Sequence, residues 1–193
     1  MEALRPSRRA IARSAVWTVP VIAVAATAPA FAASPCDCAG FSVPAFPASG
    51  TLGNGWSLSS NNVSSGGGTD RFENGSFVTV EDSTRYDTRT VTASRSICVT
   101  AGKTYRFQYS WTAYLINNRK MTSVLQVNGQ AVANSQIDTS TSQASGTRNV
   151  TWMSNASGTV TMSFLHTVTP PGLLGGNLTG DDITINSVTA SCS

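Results

Sequence analysis

Thr104-Tyr105-Arg106-Phe107-Gln108-Tyr109-Ser110-Trp111-Thr112-Ala113-Tyr114 alternates without a break between apolar and polar side chains. Successive side chains of an extended chain point to opposite faces. Tyr105, Phe107, Tyr109 and Trp111 therefore share one face, and Arg106, Gln108, Ser110 and Thr112 share the other. Such a strand lies in a sheet with one face on a core and one in water, as in a two-layer sandwich. The same period recurs on either side. Val124 to Val132 holds Asn128-Gly129, a strong hairpin dipeptide. Val150 and Trp152, then Val160, Met162 and Phe164, continue the pattern around the turn Asn155-Ala156-Ser157-Gly158, and Ile183, Ile185 and Val188 mark a last strand. Earlier strands are expected around Gly55–Ser60, Ser76–Glu81 and Thr88–Val99. No segment keeps a 3.6-residue apolar period over three turns, so no helix is expected. The reading is a single all-β, antiparallel sandwich domain over 41–193, of about eight to ten strands. Trp56, Trp111 and Trp152 are expected in its core, with 64–68 and 170–176 as loops.

Ahead of the domain, Ser7-Arg8-Arg9-Ala10-Ile11-Ala12-Arg13 puts paired arginines before an apolar stretch from Ala15 to Ala28, and Ala30-Phe31-Ala32 has the Ala-x-Ala pattern of a signal peptidase site. The stretch is too short, and too broken by Pro20, for a membrane span. Residues 1–32 resemble the twin-arginine signals of bacterial exported proteins, with an ordinary secretory signal as the alternative. The mature chain is then expected to start at Ala33 and to work outside the cytoplasm, secreted. Of 13 basic and 10 acidic residues, Arg5, Arg8, Arg9, Arg13 and Glu2 belong to the leader, which leaves nine of each. A formally neutral mature chain gives nucleic acid or an anionic membrane no electrostatic attraction. No later apolar stretch reaches the length of a span.

Four cysteines remain in the mature chain: Cys36, Cys38, Cys98 and Cys192. An even count in an exported protein points to disulfides. A Cys36–Cys38 ring is very small and strained, so each is expected to take a distant partner. Cys192 joins Cys36 or Cys38, and Cys98 joins the other. A bridge between the chain ends suits a sandwich whose first and last strands are neighbours. A metal or redox site at Cys36-Asp37-Cys38 is the alternative, weakened by the single histidine. The segment 33–40 is read as a disulfide-bearing lead-in to the domain.

Val99-Thr100-Ala101-Gly102-Lys103-Thr104-Tyr105-Arg106-Phe107 resembles the "strand, Ala-Gly-x-x-Tyr-x-Phe, strand" segment of jelly-roll domains of the galactose-binding-like type, among them the carbohydrate-binding modules of families four and nine. Gly55-Trp56-Ser57, Val127-Asn128-Gly129 and Gly180-Asp181-Asp182-Ile183-Thr184-Ile185 follow that family's order, so the resemblance spans about residues 41–190. It implies a jelly roll with one concave sheet whose outward side chains form a glycan groove. Arg106, Gln108 and Thr112 on the polar face of the quoted strand, with Tyr114 at its end, are the expected ligand-binding residues; any solvated strand face carries similar groups. The resemblance also implies a structural calcium at Asp181 and Asp182. The family's N-terminal acidic ligand is absent, so Asp70 or Glu73 would have to replace it, and Asn186 stands where a later carboxylate is usual.

Catalysis finds no constellation. His166, the only histidine, continues the apolar face of Val160, Met162 and Phe164 and reads as a satisfied histidine at the core's edge. Glu81-Asp82 and Asp181-Asp182 are adjacent pairs, whose members point to opposite faces of a strand rather than across a cleft. Two functions are expected in order: a non-catalytic module that binds a polysaccharide or surface glycan, and a structural or adhesive surface sandwich without a sugar site.

Overall fold

The computed structural model describes residues 36–61, 70–79, 87–114, 121–139, 145–169 and 182–193. All of them fall within the unit Ala33–Ser193. The expected leader 1–32, the loops 64–68 and 170–176, Glu81-Asp82, Asp181 and the side chain of Tyr114 lie outside the described residues.

Thirteen strands occur among the described residues, and no α-helix. They are β1 (Ser49–Gly50), β2 (Leu52–Gly53), β3 (Trp56–Ser60), β4 (Arg71–Glu73), β5 (Ser76–Val78), β6 (Arg89–Val99), β7 (Thr104–Tyr114), β8 (Met121–Val127), β9 (Gln130–Ala131), β10 (Ile137–Asp138), β11 (Ser145–Met153), β12 (Gly158–Val168) and β13 (Asp182–Cys192). The count exceeds the expected eight to ten because β1, β2, β9 and β10 have two residues each. Strands that short carry no period and are defined only by their partners.

One sheet has the order β1-β4-β5-β13-β7-β11, the other β10-β8-β12-β6-β3-β2 with β9 also on β8. From β6 onward the long strands alternate between sheets: β6, β8 and β12 in one, β7, β11 and β13 in the other. This is the jelly-roll winding, with all pairs antiparallel. Asn-Gly pairs with positive φ turn the chain at Asn54-Gly55, Asn74-Gly75 and Asn128-Gly129. Asparagine and glycine tolerate the left-handed conformation that both central residues of a tight type I′ turn require.

The apolar face of β7 is the centre of the core. Tyr105, Phe107, Tyr109 and Trp111 are all buried, at 5% exposure or less. Tyr109 meets Phe164 of β12 edge-on at 5.0 Å, and Phe46 links Trp56 (4.5 Å) to Phe72 (5.6 Å). Trp56 is fully buried and donates from Nε1 to Pro44 O at 2.9 Å, which satisfies the indole. Trp152 departs from the core reading. It sits half-buried at the margin, 5.7 Å from Tyr105, because β11 is the last strand of its sheet and nothing described covers its far side.

Cys36 pairs with Cys98 and Cys38 with Cys192. Cys98 belongs to β6 and Cys192 to β13, so one short segment ties both sheets at the same end of the sandwich. Thr100 Oγ1 also donates to Cys36 O, and Phe41 packs edge-on to Tyr105 at 4.7 Å. The first and last strands, however, are not neighbours: β4 and β5 lie between β1 and β13. The Cys38–Cys192 bridge ties the end of β13 to a segment that precedes the first strand.

Candidate functional site

The outward face of the six-stranded sheet is built where β11, β7 and β13 run side by side. Register places Thr147, Ser110 and Ser187 in one row across the three strands, and Asn149, Gln108 and Thr189 in the next. Each arrives by the same alternation that buries its neighbours. On β13 the alternation is broken once: a bulge at Asn186 shifts the register between Ile185 and Ser187. Ile183, Ile185 and Val188 consequently all face inward, and Ser187 and Thr189 face out.

A shallow open depression of about 230 Å³ lies here, lined by Gln108, Tyr109, Ser110, Thr147, Ser187 and Thr189. Its side-chain lining is hydroxyl and amide without charge. Ser110 and Ser187 share a hydrogen bond of 2.7 Å across β7 and β13, and Thr189 Oγ1 donates to Gln108 O at 3.4 Å. Below it the Tyr109 hydroxyl is tied to Ser135 O at 2.7 Å, and burial pushes its pKa up, with the Arg148 guanidinium pulling the other way. The floor is neutral and hydrogen-bonded.

Of the expected binding residues, Gln108 lines this depression. Arg106 is exposed on the same face, one row toward the disulfide end, opposite Thr151 and Ser191. Thr112 is one row the other way, half-buried, and its Oγ1 accepts a 2.9 Å hydrogen bond from Asn186 Nδ2. That bond engages Thr112 with the bulge. The backbone of Tyr114 pairs with Asp182 at the end of the ladder. Ser110, Thr147, Ser187 and Thr189 were not singled out from sequence. Three of them come from other strands, and no local pattern announces which residues register places beside Gln108.

The calcium reading falls partly outside the described residues. Asp182 is half-buried at the start of β13, and Asp181 lies outside. The two acids needed as substitutes are engaged by cations: Asp70 with the buried Arg89, and Glu73 with Arg71 at 2.7 Å. No group of three or more His, Cys, Asp or Glu side chains gathers among the described residues.

His166 is buried more deeply than a core-edge histidine. It is fully inaccessible, stacks on Phe77 at 4.3 Å and shares a 2.6 Å hydrogen bond between Nδ1 and Thr79 Oγ1. Its Nε2 has no partner among the described residues. Desolvation lowers its pKa to about 3.

No protein-family model matches the chain, and no curated protein matches it. Among solved structures, a family 61 carbohydrate-binding module in complex with β-1,4-galactotriose is similar over 70% of this chain and 86% of its own, at 13% identity and a TM-score of 0.38. A family 35 carbohydrate-binding module from Paenibacillus barcinonensis is similar over 80% of this chain and all of its own, at 12% identity and a TM-score of 0.31. The enzymatically active domain of bacteriophage CBA120 tailspike protein 4 is similar over 72% of this chain, at 11% identity and a TM-score of 0.40; the match spans 19% of that chain. Likenesses this distant leave the roles of individual residues to the geometry above.

Proposed function

We propose that the protein is a secreted, non-catalytic glycan-binding module whose site is the outward face of β7 and its two neighbours. The observation that carries this is the depression at Gln108. It offers uncharged hydroxyl and amide groups from three adjacent strands. A neutral sugar presents a rim of hydroxyls that exchange hydrogen bonds with such groups without the desolvation cost of burying a charge. At about 230 Å³ the depression is smaller than the ~300–1,000 Å³ of drug-sized pockets, which suits one or two units of a longer chain. Arg106 flanks it along β7 and would extend the contact. The disulfides suit an oxidising compartment outside the cytoplasm, and no helix among the described residues is long and apolar enough to cross a membrane. His166, the chain's only histidine, is sealed in the core and so supplies no general base on this face.

A glycan array finds the ligand, and the Gln108→Ala, Thr147→Val double variant tests the site. Net hydrogen bonds are worth about 0.5–1.5 kcal/mol each, so affinity for the best array oligosaccharide is expected to fall at least about fivefold. Both side chains are exposed, and thermal stability should stay within about 0.5 kcal/mol of the parent. Unchanged affinity would move the site elsewhere. Silence across the array would favour the structural or adhesive reading, which the depression's lack of a sugar-stacking ring already favours: among the described residues the exposed large apolar side chains are Leu52 and Met153, neither in the depression.

A further inference from the structure

The edges of the two sheets differ sharply. At three of them the last strands are two residues long: β1, β2, and the pair β9 and β10 beside β8. The fourth is β11, nine residues in unbroken register with β7. A long regular edge is a template for pairing, and proteins usually blunt one with proline, a bulge or outward charge. Ser145-Gly146-Thr147-Arg148-Asn149-Val150-Thr151-Trp152-Met153 has no proline, lysine or acid, and no bulge. Its one charge is turned aside, Arg148 Nη2 donating to Gln136 O at 3.0 Å.

Backbone directions follow from the ladder. Thr104 and Ser193 exchange both hydrogen bonds, at 3.0 and 2.9 Å, so the even-numbered residues of β7 bond toward β13 and the odd-numbered ones toward β11. Through Phe107↔Val150 and Tyr105↔Trp152, the even-numbered residues of β11 are the ones bonded to β7. Ser145, Thr147, Asn149, Thr151 and Met153 therefore aim N–H and C=O at the open side, where no described strand pairs with them.

We propose that a second copy of this chain pairs antiparallel on β11, about a two-fold axis through Asn149. A two-fold interface must be self-complementary, and the sequence is so in this register. Asn149 meets the copy's Asn149, Thr147 meets Thr151, and Ser145 meets Met153. Arg148 meets Val150, so no like charges oppose. Gly146 meets Trp152, the smallest residue facing the largest. Within its own copy the space beside Gly146 is taken by Trp111 of β7, whose Cζ2 would lie 3.0 Å from an added Cβ, so glycine is what lets the two strands pack here. Met153, 68% exposed and one of two large apolar side chains so exposed among the described residues, is covered by pairing, and the margin of Trp152 with it.

The dimer joins two six-stranded sheets into one continuous sheet. Its two β7 strands stand three strand spacings apart, about 14 Å, with their outward faces coplanar. On the reading that these faces bind a glycan, one polymer chain reaches both, and the second contact is gained as avidity. A nine-residue ladder is a small interface, so the association depends on concentration.

Sedimentation velocity of the purified protein between about 1 µM and 1 mM reads it directly, with dissociation constants in the micromolar range expected. Asn149→Lys places two lysines on the axis, and Asn149→Glu two glutamates. Each alone is expected to sediment as a monomer across the range, and an equimolar mixture to recover the dimer. Asn149→Pro removes an N–H that faces away from β7 and is likewise expected to be monomeric. Thermal midpoints close to the parent's certify folding of each variant. A parent that stays monomeric at every concentration overturns the proposal, as does an Asn149→Lys protein that dimerises like the parent. Sedimentation is read without any glycan present, so this proposal and the site on β7 stand or fall separately.

Discussion

Replacing Cys38 and Cys192 together by serine is expected to cost about 4–5 kcal/mol of stability, close to the whole stability of a small domain. The bridge spans 154 residues, and the loop-entropy model makes its constraint on the unfolded chain large. The Cys36–Cys98 bridge spans 62 residues and is expected to contribute about 4 kcal/mol by the same reckoning. Both close on one segment, 36–38, that holds β6 of one sheet and β13 of the other. Reduction should therefore loosen the two sheets at the same end. Denaturant unfolding of the paired variant against the parent measures the loss. A change below about 1 kcal/mol would contradict the clamp, and mass mapping that linked Cys98 to Cys192 would contradict the pairing itself.

The second large effect is acid lability through His166. Its folded pKa of about 3 lies below the unfolded value of 6.5, so the unfolded chain binds a proton that the folded one refuses. The stability attached to this group is full above pH 6.5 and is lost as pH falls toward 3, by about 1.4 kcal/mol per pH unit. Between pH 7 and pH 4.5 the expected loss is roughly 2–3 kcal/mol. His166→Gln carries no proton in this range and keeps an amide within reach of Thr79. It should be less stable than the parent at pH 7 but flatter with pH down to 4.5. Parallel pH profiles for the two proteins would show that some other group drives acid unfolding.

Much of the sandwich was legible because water writes the pattern directly. In β7 every second residue is either in the core or in solvent, and neither the sheet nor its partners need be known to see it. The bulge on β13 was not read from the sequence, although Ile185 to Val188 is a step of three that only a break in the alternation puts on one face. Arg89 was not legible. It occupies an inward position of β6 and is buried by its pairing with Asp70, nineteen residues earlier, which no local period encodes. The site was half legible for the same reason. The face carrying Gln108 follows from alternation, but Thr147, Ser187 and Thr189 reach it through register between strands some forty to eighty residues apart. His166 was placed on the correct face, while its depth depended on Phe77 and Thr79 from the other sheet.

The outward face of β7 is proposed to hold a neutral glycan. Backbone amide shift mapping on the folded protein, titrated with the best oligosaccharide from the array, tests it without altering a residue. The largest shifts are expected at Gln108, Ser110, Thr147, Ser187 and Thr189, decaying toward Arg106 and Thr112. Shifts gathered instead at Thr92, Ser94 and Ser163, on the outward face of the other sheet, would contradict it.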